Sequence, residues 1–317
     1  MTVNPASATP ASTPSPTAPA APSAEAPARE WVLSLSCPDR AGIVHAVSGA
    51  LVGIDASITE SQQFGSEDTE SFFLRLQFRL EGDRVVGDDE AATEEVVREA
   101  LAPVVRRLGA HLSLRPAERR IRTLILVSKA GHCLNTLLFQ QHTGQLPVEV
   151  VGVVGNHDTL ADLAGFYGVP FHHVPVTPDT KAEAEAQLLA LVDELDVELV
   201  VLARYMQILS PELCARMEGR VINIHHSFLP SFKGAKPYHQ AHARGVKIIG
   251  ATAHYVTSDL DEGPIIEQDV ERVHHGESVT DFVHKGQEIE ASVLARAVRW
   301  HAQGRVILDD HRTVVFR

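Results

Sequence analysis

Three polar residues near the end of the chain have the types needed for carbonyl chemistry. Asn223 and His225 stand two apart in VINIHHS (221–227), and Asp261 lies in SDLDEGP (258–264). If 221–227 is a strand, residues spaced i, i+2 emerge on one face. The glycine-containing loop would bring Asp261 to the same place. An amide can donate to a developing oxyanion, and an imidazole can donate to that oxyanion or to a leaving nitrogen. A carboxylate can hold the imidazole and accept a proton. The set suits attack on a carbonyl carbon by water or by an amine. Spacing alone does not decide the matter, because a histidine near a strand end is more often a hydrogen-bonded structural residue.

The other reactive side chains carry weaker signals. Histidine pairs occur at 172–173, 225–226 and 274–275, without HExxH spacing or a cysteine partner, so no metal is expected. His226 should point away from His225 and be structural. Cys37, Cys133 and Cys214 are far apart and form no CxxC, which argues against a disulfide framework and for a reducing compartment. Cys133 could be nucleophilic, but packing is the stronger expectation. Asn156, His157 and Asp158 follow an apolar run and either line a site or cap a helix.

Elements must exist to position these groups. At 317 residues the chain is long enough for two domains. Residues 1–29 hold seven prolines among Ala, Ser and Thr, with no large apolar side chain beyond Met1 and Val3. Such a segment buries too little apolar surface to offset its chain entropy and is expected to be disordered. Residues 30–117 read strand (WVLSLSC), helix (43–51), two strands (56–64 and 71–80), helix (90–108) and strand (HLSLR). This βαββαβ order predicts a ferredoxin-like α+β unit.

Residues 118–317 show another rhythm. Apolar runs at RTLILVSK, 148–156, 171–176, 198–205 and 221–227 alternate with helical stretches at 131–143, after 156, at 183–195 and at 210–217. This predicts a doubly wound, mostly parallel sheet, α/β in class, whose ligands bind beyond the carboxyl ends of the strands. Two antiparallel strands flank the acidic loop at 258–263. A long helix (279–302) and a closing hairpin end the chain.

Charge and hydropathy exclude several function classes. Lys plus Arg total 28 against 41 Asp plus Glu, so the net charge is 28 − 41 = −13. That argues against nucleic-acid binding, which needs a clustered basic surface. No apolar run approaches the ~20 residues of a membrane helix. The N-terminus lacks the basic and apolar regions of a signal peptide, so a cytoplasmic protein is expected.

The stretch INIHHSFLPSFKGAKPYHQAHARGVKIIGATAHYVTSDLDEGPII resembles the catalytic core of the folate-dependent formyltransferases. HCL (132–134), GNHD (155–158) and ARYMQIL (203–209) match in order. The first domain resembles an ACT domain, whose DRxGI-type loop is here Asp39-Arg40-Ala41-Gly42-Ile43. The pairing looks closest to the hydrolytic branch, the formyltetrahydrofolate deformylases, and it covers everything except the tail. It implies that Asn223, His225 and Asp261 are catalytic. It also implies that the backbone of Met206, Gln207, Ile208 and Leu209 meets the pterin ring. Many transferases of the family have Arg where this chain has Gln207, so any guanidinium contribution is missing. Lys233 and Lys236 could meet the anionic tail of folate, although simple exposure is the plainer reading.

Two further expectations follow from the resemblance. Formyltransferases that act on a ribose phosphate open the helix after their first strand with a Gly/Ser-rich phosphate cradle. The matching SKAGHCLNTLL (128–138) has one glycine and bulky His132 and Cys133. Loss of the cradle favours water as acceptor, hence hydrolysis of 10-formyltetrahydrofolate to formate and tetrahydrofolate, a reaction that would supply formate for purine synthesis and needs no added cofactor. ACT-like domains commonly pair and take an amino acid near the loop at Asp39, Arg40, Gly42 and Ile43, which implies an effector and a homodimer or homotetramer. Two alternatives stay open: transfer to an amine, and an amino-acid-binding regulator with an inactive back domain.

Overall fold

A computed structural model describes Met1 and residues 29–80, 89–229 and 237–317. The proline-rich stretch 2–28, Lys233 and Lys236 lie outside the described residues. In chain order the elements are β1 (Glu30–Pro38), α1 (Ile43–Val52), β2 (Ala56–Ser66), β3 (Ser71–Leu80), α2 (Glu90–Leu108), β4 (His111–Pro116), β5 (Ile121–Val127), α3 (His132–His142), β6 (Val148–Gly155), α4 (Ala161–Phe166) and β7 (Phe171–His173). They continue as α5 (Lys181–Glu194), β8 (Leu199–Leu202), α6 (Pro211–Arg216), β9 (Val221–His225), α7 (Pro237–Arg244), β10 (Ile248–Tyr255), β11 (Ile265–Arg272), α8 (Val279–Ala302), β12 (Val306–Asp309) and β13 (Arg312–Val315).

The first unit is ferredoxin-like. Its four strands lie in the order β2-β3-β1-β4 with antiparallel pairings throughout. Alternation along β1 turns Trp31, Leu33 and Leu35 into a core shared with Ile43, Val47 and Leu51 of α1 and Val97 and Leu101 of α2. α2 starts on an Asp89 cap, whose side chain accepts from Ala92 N–H, and ends on left-handed Gly109. The opposite sheet face meets the residues after α8. Ser34 Oγ donates to Gly304 O at 3.1 Å. Buried Arg75 donates to Glu60 Oε2 at 2.7 Å and to Gln303 O at 3.3 Å, and Arg305 also pairs with Glu60.

The second unit is a seven-stranded sheet in the order β11-β10-β9-β8-β5-β6-β7. β7, β6, β5, β8 and β9 are parallel, while β10 is antiparallel to both of its neighbours, β9 and β11. Apolar runs bury both faces, as a parallel sheet requires. Ile125, Val201 and Ile222 pack under α3 and α8. Leu124, Val200 and Leu202 pack under α5 and α6. α8 is fixed at its start by a reciprocal Ser278–Asp281 capping box.

Several elements are shorter than the residue pattern suggests. β8 stops at Leu202 because Arg204 adopts a left-handed backbone with φ 65°. β7 ends at His173, just before Val174-Pro175, where proline has no N–H for the ladder. β9 ends at His225 rather than Ser227. α7 has no counterpart in the periodicity reading.

Candidate active site

The order of strands creates the crevice. β5 has β6 on one side and β8 on the other, so the chain reverses its winding between β5 and β8. Doubly wound sheets bind ligands at that switch point. Here Ser128, buried just after β5, accepts from Met206 N–H at 2.9 Å and ties the loop after β8 across the gap. A pocket of about 240 Å³ opens beyond the ends of β8 and β9. Met206, Gln207, Ile208 and Leu209 form one wall, and Asn223, His225 and Asp261 line it as well. Exposed Met206, Ile208 and Leu260 give it an apolar rim.

The three polar residues converge. Pairing of β9 with β10 sets Asn223 opposite His254 and His225 opposite Thr252. His225 is buried, and its Nδ1 stands 3.2 Å from Asp261 Oδ1. Its Nε2 is buried without a hydrogen-bond partner among the described residues. The hydrogen bond from His225 holds the Asp261 carboxyl below its ordinary value, outweighing partial burial, and the electrostatic effect of the same histidine adds to it. Asp261 is therefore an anion at neutral pH. Its backbone is left-handed, φ 58°, which aims the side chain back at β9.

Gly263 explains how the loop packs so closely. A Cβ there would lie 1.8 Å from Tyr255 O and 3.3 Å from His254 Nδ1. Only a residue without a side chain fits. Thr252 secures the turn after β9: its hydroxyl donates to Ser227 O and accepts from Leu229 N–H.

Two histidines of the site escape a reading based on spacing. His254 donates from Nδ1 to Tyr255 O at 2.9 Å, which leaves Nε2 to accept from Asn223 Nδ2 at 3.2 Å. Burial lowers its pKa, so it stays neutral. It fixes the direction of the Asn223 amide and leaves that group's second N–H for a ligand. The available signal is GATAHYV, where Thr252 and His254 stand two apart and so share one face of the strand. His226 corrects an expectation. Its ring is 5.2 Å from that of His225 and lines the same pocket, because β9 has ended and strand alternation no longer applies. Burial and then the Arg204 charge push its pKa down to about 4.

A second cluster borders the pocket. Glu290 of α8 is 1% exposed. It accepts from Tyr238 OH at 2.6 Å and from His132 Nε2 at 2.8 Å, and Arg204 Nε lies 3.3 Å away. Burial raises its carboxyl pKa, but the His132 bond and the Arg204 charge outweigh that and hold it below the ordinary value. His132, Cys133 and Glu290 place potential ligand atoms within 4.8 Å of one another. Arg204 already supplies the positive charge that a metal ion would bring. Cys133 is fully buried, and burial drives its thiol pKa well up, so it packs rather than attacks. Asn156 is buried with Oδ1 unpartnered, and neither it nor His157 nor Asp158 lines the pocket.

The loop at Asp39, Arg40, Gly42 and Ile43 belongs to the first unit. Gly42 has φ 89° and precedes α1, Ile43 is buried beneath it, and Asp39 N–H donates to Glu70 O. Arg40 Nη2 donates to Leu108 O at 2.9 Å. No helix among the described residues is long and apolar enough to cross a membrane.

Known proteins resemble this chain in sequence and in fold. Residues 121–298 match the formyl transferase family. A formyltetrahydrofolate deformylase from Corynebacterium sp. (strain P-1) is 50% identical over 286 residues, covering 90% of this chain and 98% of the relative. The crystal structure of a formyltetrahydrofolate deformylase from Burkholderia mallei superposes with a TM-score of 0.85 at 47% identity, over 91% of this chain and all of that one. The glycinamide ribonucleotide transformylase 1 of Symbiobacterium toebii reaches a TM-score of 0.59 at 30% identity over 62% of this chain and 95% of its own. Likeness to the deformylases therefore runs through both units, whereas likeness to the transformylase covers less of the chain. The chain belongs to the formyl transferase family and, within it, to the formyltetrahydrofolate deformylases.

Proposed function

We propose that the protein hydrolyses 10-formyltetrahydrofolate to formate and tetrahydrofolate. The observation that carries this reading is the meeting of Asn223, His225 and Asp261 at the pocket, in a chain whose deformylase relatives match over 90% of its length. The folate's ring system lies against the wall at Met206–Leu209, where backbone groups of the loop face it. The formyl group enters between Asn223 and Asp261. Water attacks the formyl carbon while Asp261 takes one of its protons. The free N–H of Asn223 and the Nε2–H of protonated His225 stabilise the tetrahedral oxyanion, and Asp261 supports the charge on His225 through Nδ1. The intermediate collapses, the C–N10 bond breaks, and N10 takes the proton from His225. Asp261 then returns its proton to His225, and formic acid, which gives up its proton to solvent as formate, leaves with tetrahydrofolate. No added cofactor enters any step.

The formate serves one-carbon and purine metabolism in this reading, and the protein works in the cytoplasm. The first unit acts as an ACT-type regulatory module. It takes an amino acid at Asp39, Arg40, Gly42 and Ile43 and pairs with a second copy to give a homodimer or homotetramer. Support for this comes from Gly42, whose missing side chain lets a ligand approach the start of α1.

The test is direct. The purified chain is incubated with 10-formyltetrahydrofolate and no amine, and both products are followed. Turnover without acceptor is expected. Turnover only after an amine is added makes the protein a transferase. A folded but silent protein removes the catalytic role of the back domain.

A further inference from the structure

Arg204 has an unusual backbone. It is a non-glycine residue at φ 65°, a conformation that costs an L-residue about 1 kcal/mol or more. It also marks the point where β8 ends and the substrate wall begins: Leu202 closes the strand, and Tyr205 to Leu209 line the pocket. The direction in which that wall leaves the sheet depends on this one turn. Something must hold it there.

Arg204 lines the pocket as well, and its guanidinium reaches Glu290 of α8. Its Nε lies 3.3 Å from Glu290 Oε2, in a cluster where both Glu290 oxygens already have a donor, one from α3 (His132) and one from α7 (Tyr238). Glu290 therefore sits on the long helix, anchored from two further helices, and attracts the side chain of the strained residue at the base of the loop. In a buried setting such an ion pair is stronger than its surface equivalent, and a lone buried carboxylate is costly. The pair and the strained turn are thus coupled.

We propose that Glu290 is a positioning residue for the substrate: through Arg204 it holds the left-handed turn that aims the Met206–Leu209 wall into the pocket. Ser128 secures the same wall one step later, at Met206 N–H. Glu290 lines no part of the pocket itself. This inference rests on the folate reading of that wall, and acceptor-free turnover by the unmodified chain tests that reading separately.

Glycine adopts φ 65° without strain. In an Arg204→Gly background the turn needs no ion pair, and Glu290 should lose its influence. Steady-state kinetics on 10-formyltetrahydrofolate are measured for Glu290→Gln in both backgrounds, with thermal melting to confirm folding. In the native background KM should rise about tenfold with kcat within about threefold, the signature of lost binding rather than lost chemistry. In the Arg204→Gly background the same substitution should change KM less than about twofold. An equal KM rise in both backgrounds makes Glu290 a general packing residue and overturns the proposal, as does an unchanged KM or a change confined to kcat. Should Glu290→Gln fail to fold, Arg204→Gly is compared with Arg204→Ala. KM should be at least about fivefold higher for alanine, which resists the left-handed turn, and equal values overturn the proposal.

Discussion

The two polar clusters beside the pocket use their hydrogen-bonding capacity differently. Around Glu290 both carboxylate oxygens are taken, by Tyr238 and by His132, and the nearby cation is Arg204. Around Asp261 capacity is left over. His225 Nε2 has no partner among the described residues, and one N–H of Asn223 remains after the bond to His254. Buried polar groups are normally paired, so an unpaired one requires a reason. Here the reason is a reacting group that arrives and leaves. A carboxylate with both oxygens bonded holds the scaffold still, whereas an imidazole nitrogen and an amide N–H left open beside the pocket await substrate. Substitutions should therefore divide accordingly, with losses in kcat at the second cluster and losses in KM or stability at the first.

The sharpest break of that division is Asp261→Asn. It keeps the shape, loses the proton acceptor and weakens the hold on His225. Turnover should fall by about 10³-fold, while folate binding, read by ligand-induced fluorescence change, stays close to native. An undiminished rate removes Asp261 from the chemistry. Asn223→Ala comes next, because it takes away one oxyanion donor. A loss of about 10²-fold in kcat with little change in KM is expected. A loss seen only in KM would assign Asn223 to ground-state binding instead.

Gly263 tests placement without touching a reacting group. A methyl group there meets Tyr255 O at 1.8 Å, so Gly263→Ala must push the loop that carries Asp261 away from His225. A displacement near 1 Å costs about 10²-fold in rate. Native activity in a folded Gly263→Ala protein would show that the loop has slack and that its Asp261 geometry is not limiting.

These residues also show how much of the site is legible in the chain before it folds. Asn223, His225 and Asp261 are visible because strand alternation and a glycine-bearing loop are local patterns. His254 is not, since its role depends on the register between β9 and β10, which no local pattern states. His226 is misplaced when alternation is extended one residue past the true strand end. The class of both sheets follows from the succession of apolar runs. The turn at Arg204, the shortening of β8 and the helix α7 do not, because each depends on contacts distant in sequence. Glu290 looks like any charge on a long amphipathic helix, and only packing against α3 and α7 shows it to be buried.

A smaller effect should appear in stability rather than rate. His301 accepts or donates one hydrogen bond with Tyr255 OH at 2.7 Å, and burial, then the Arg115 charge, lower its pKa from 6.5 to about 4. His226 is depressed to about 4 as well. The unfolded chain takes up these protons below pH 6.5, while the folded one does so only near pH 4. Linkage then makes stability fall as pH drops from about 6.5 to about 4, and adds nothing above that window. Melting temperature measured across this range should show that slope, and His301→Gln should flatten part of it. An unchanged slope would mean that other groups control acid stability.

The mildest change sharpens the contrast between the two units through their glycines. Gly263 is required by space, since its backbone is not left-handed and its surroundings are full. Gly42 is required by conformation, since it has φ 89° and nothing within 4 Å of the place a methyl group would occupy. Gly42→Ala therefore has room for its side chain and only the strain of a left-handed backbone, about 1 kcal/mol. Turnover without effector should stay native, and melting should drop by a few degrees at most. A large loss of activity from this distant substitution would mean that the start of α1 communicates with the pocket even without ligand, through the contacts that Arg75, Ser34 and Arg305 make between the two units.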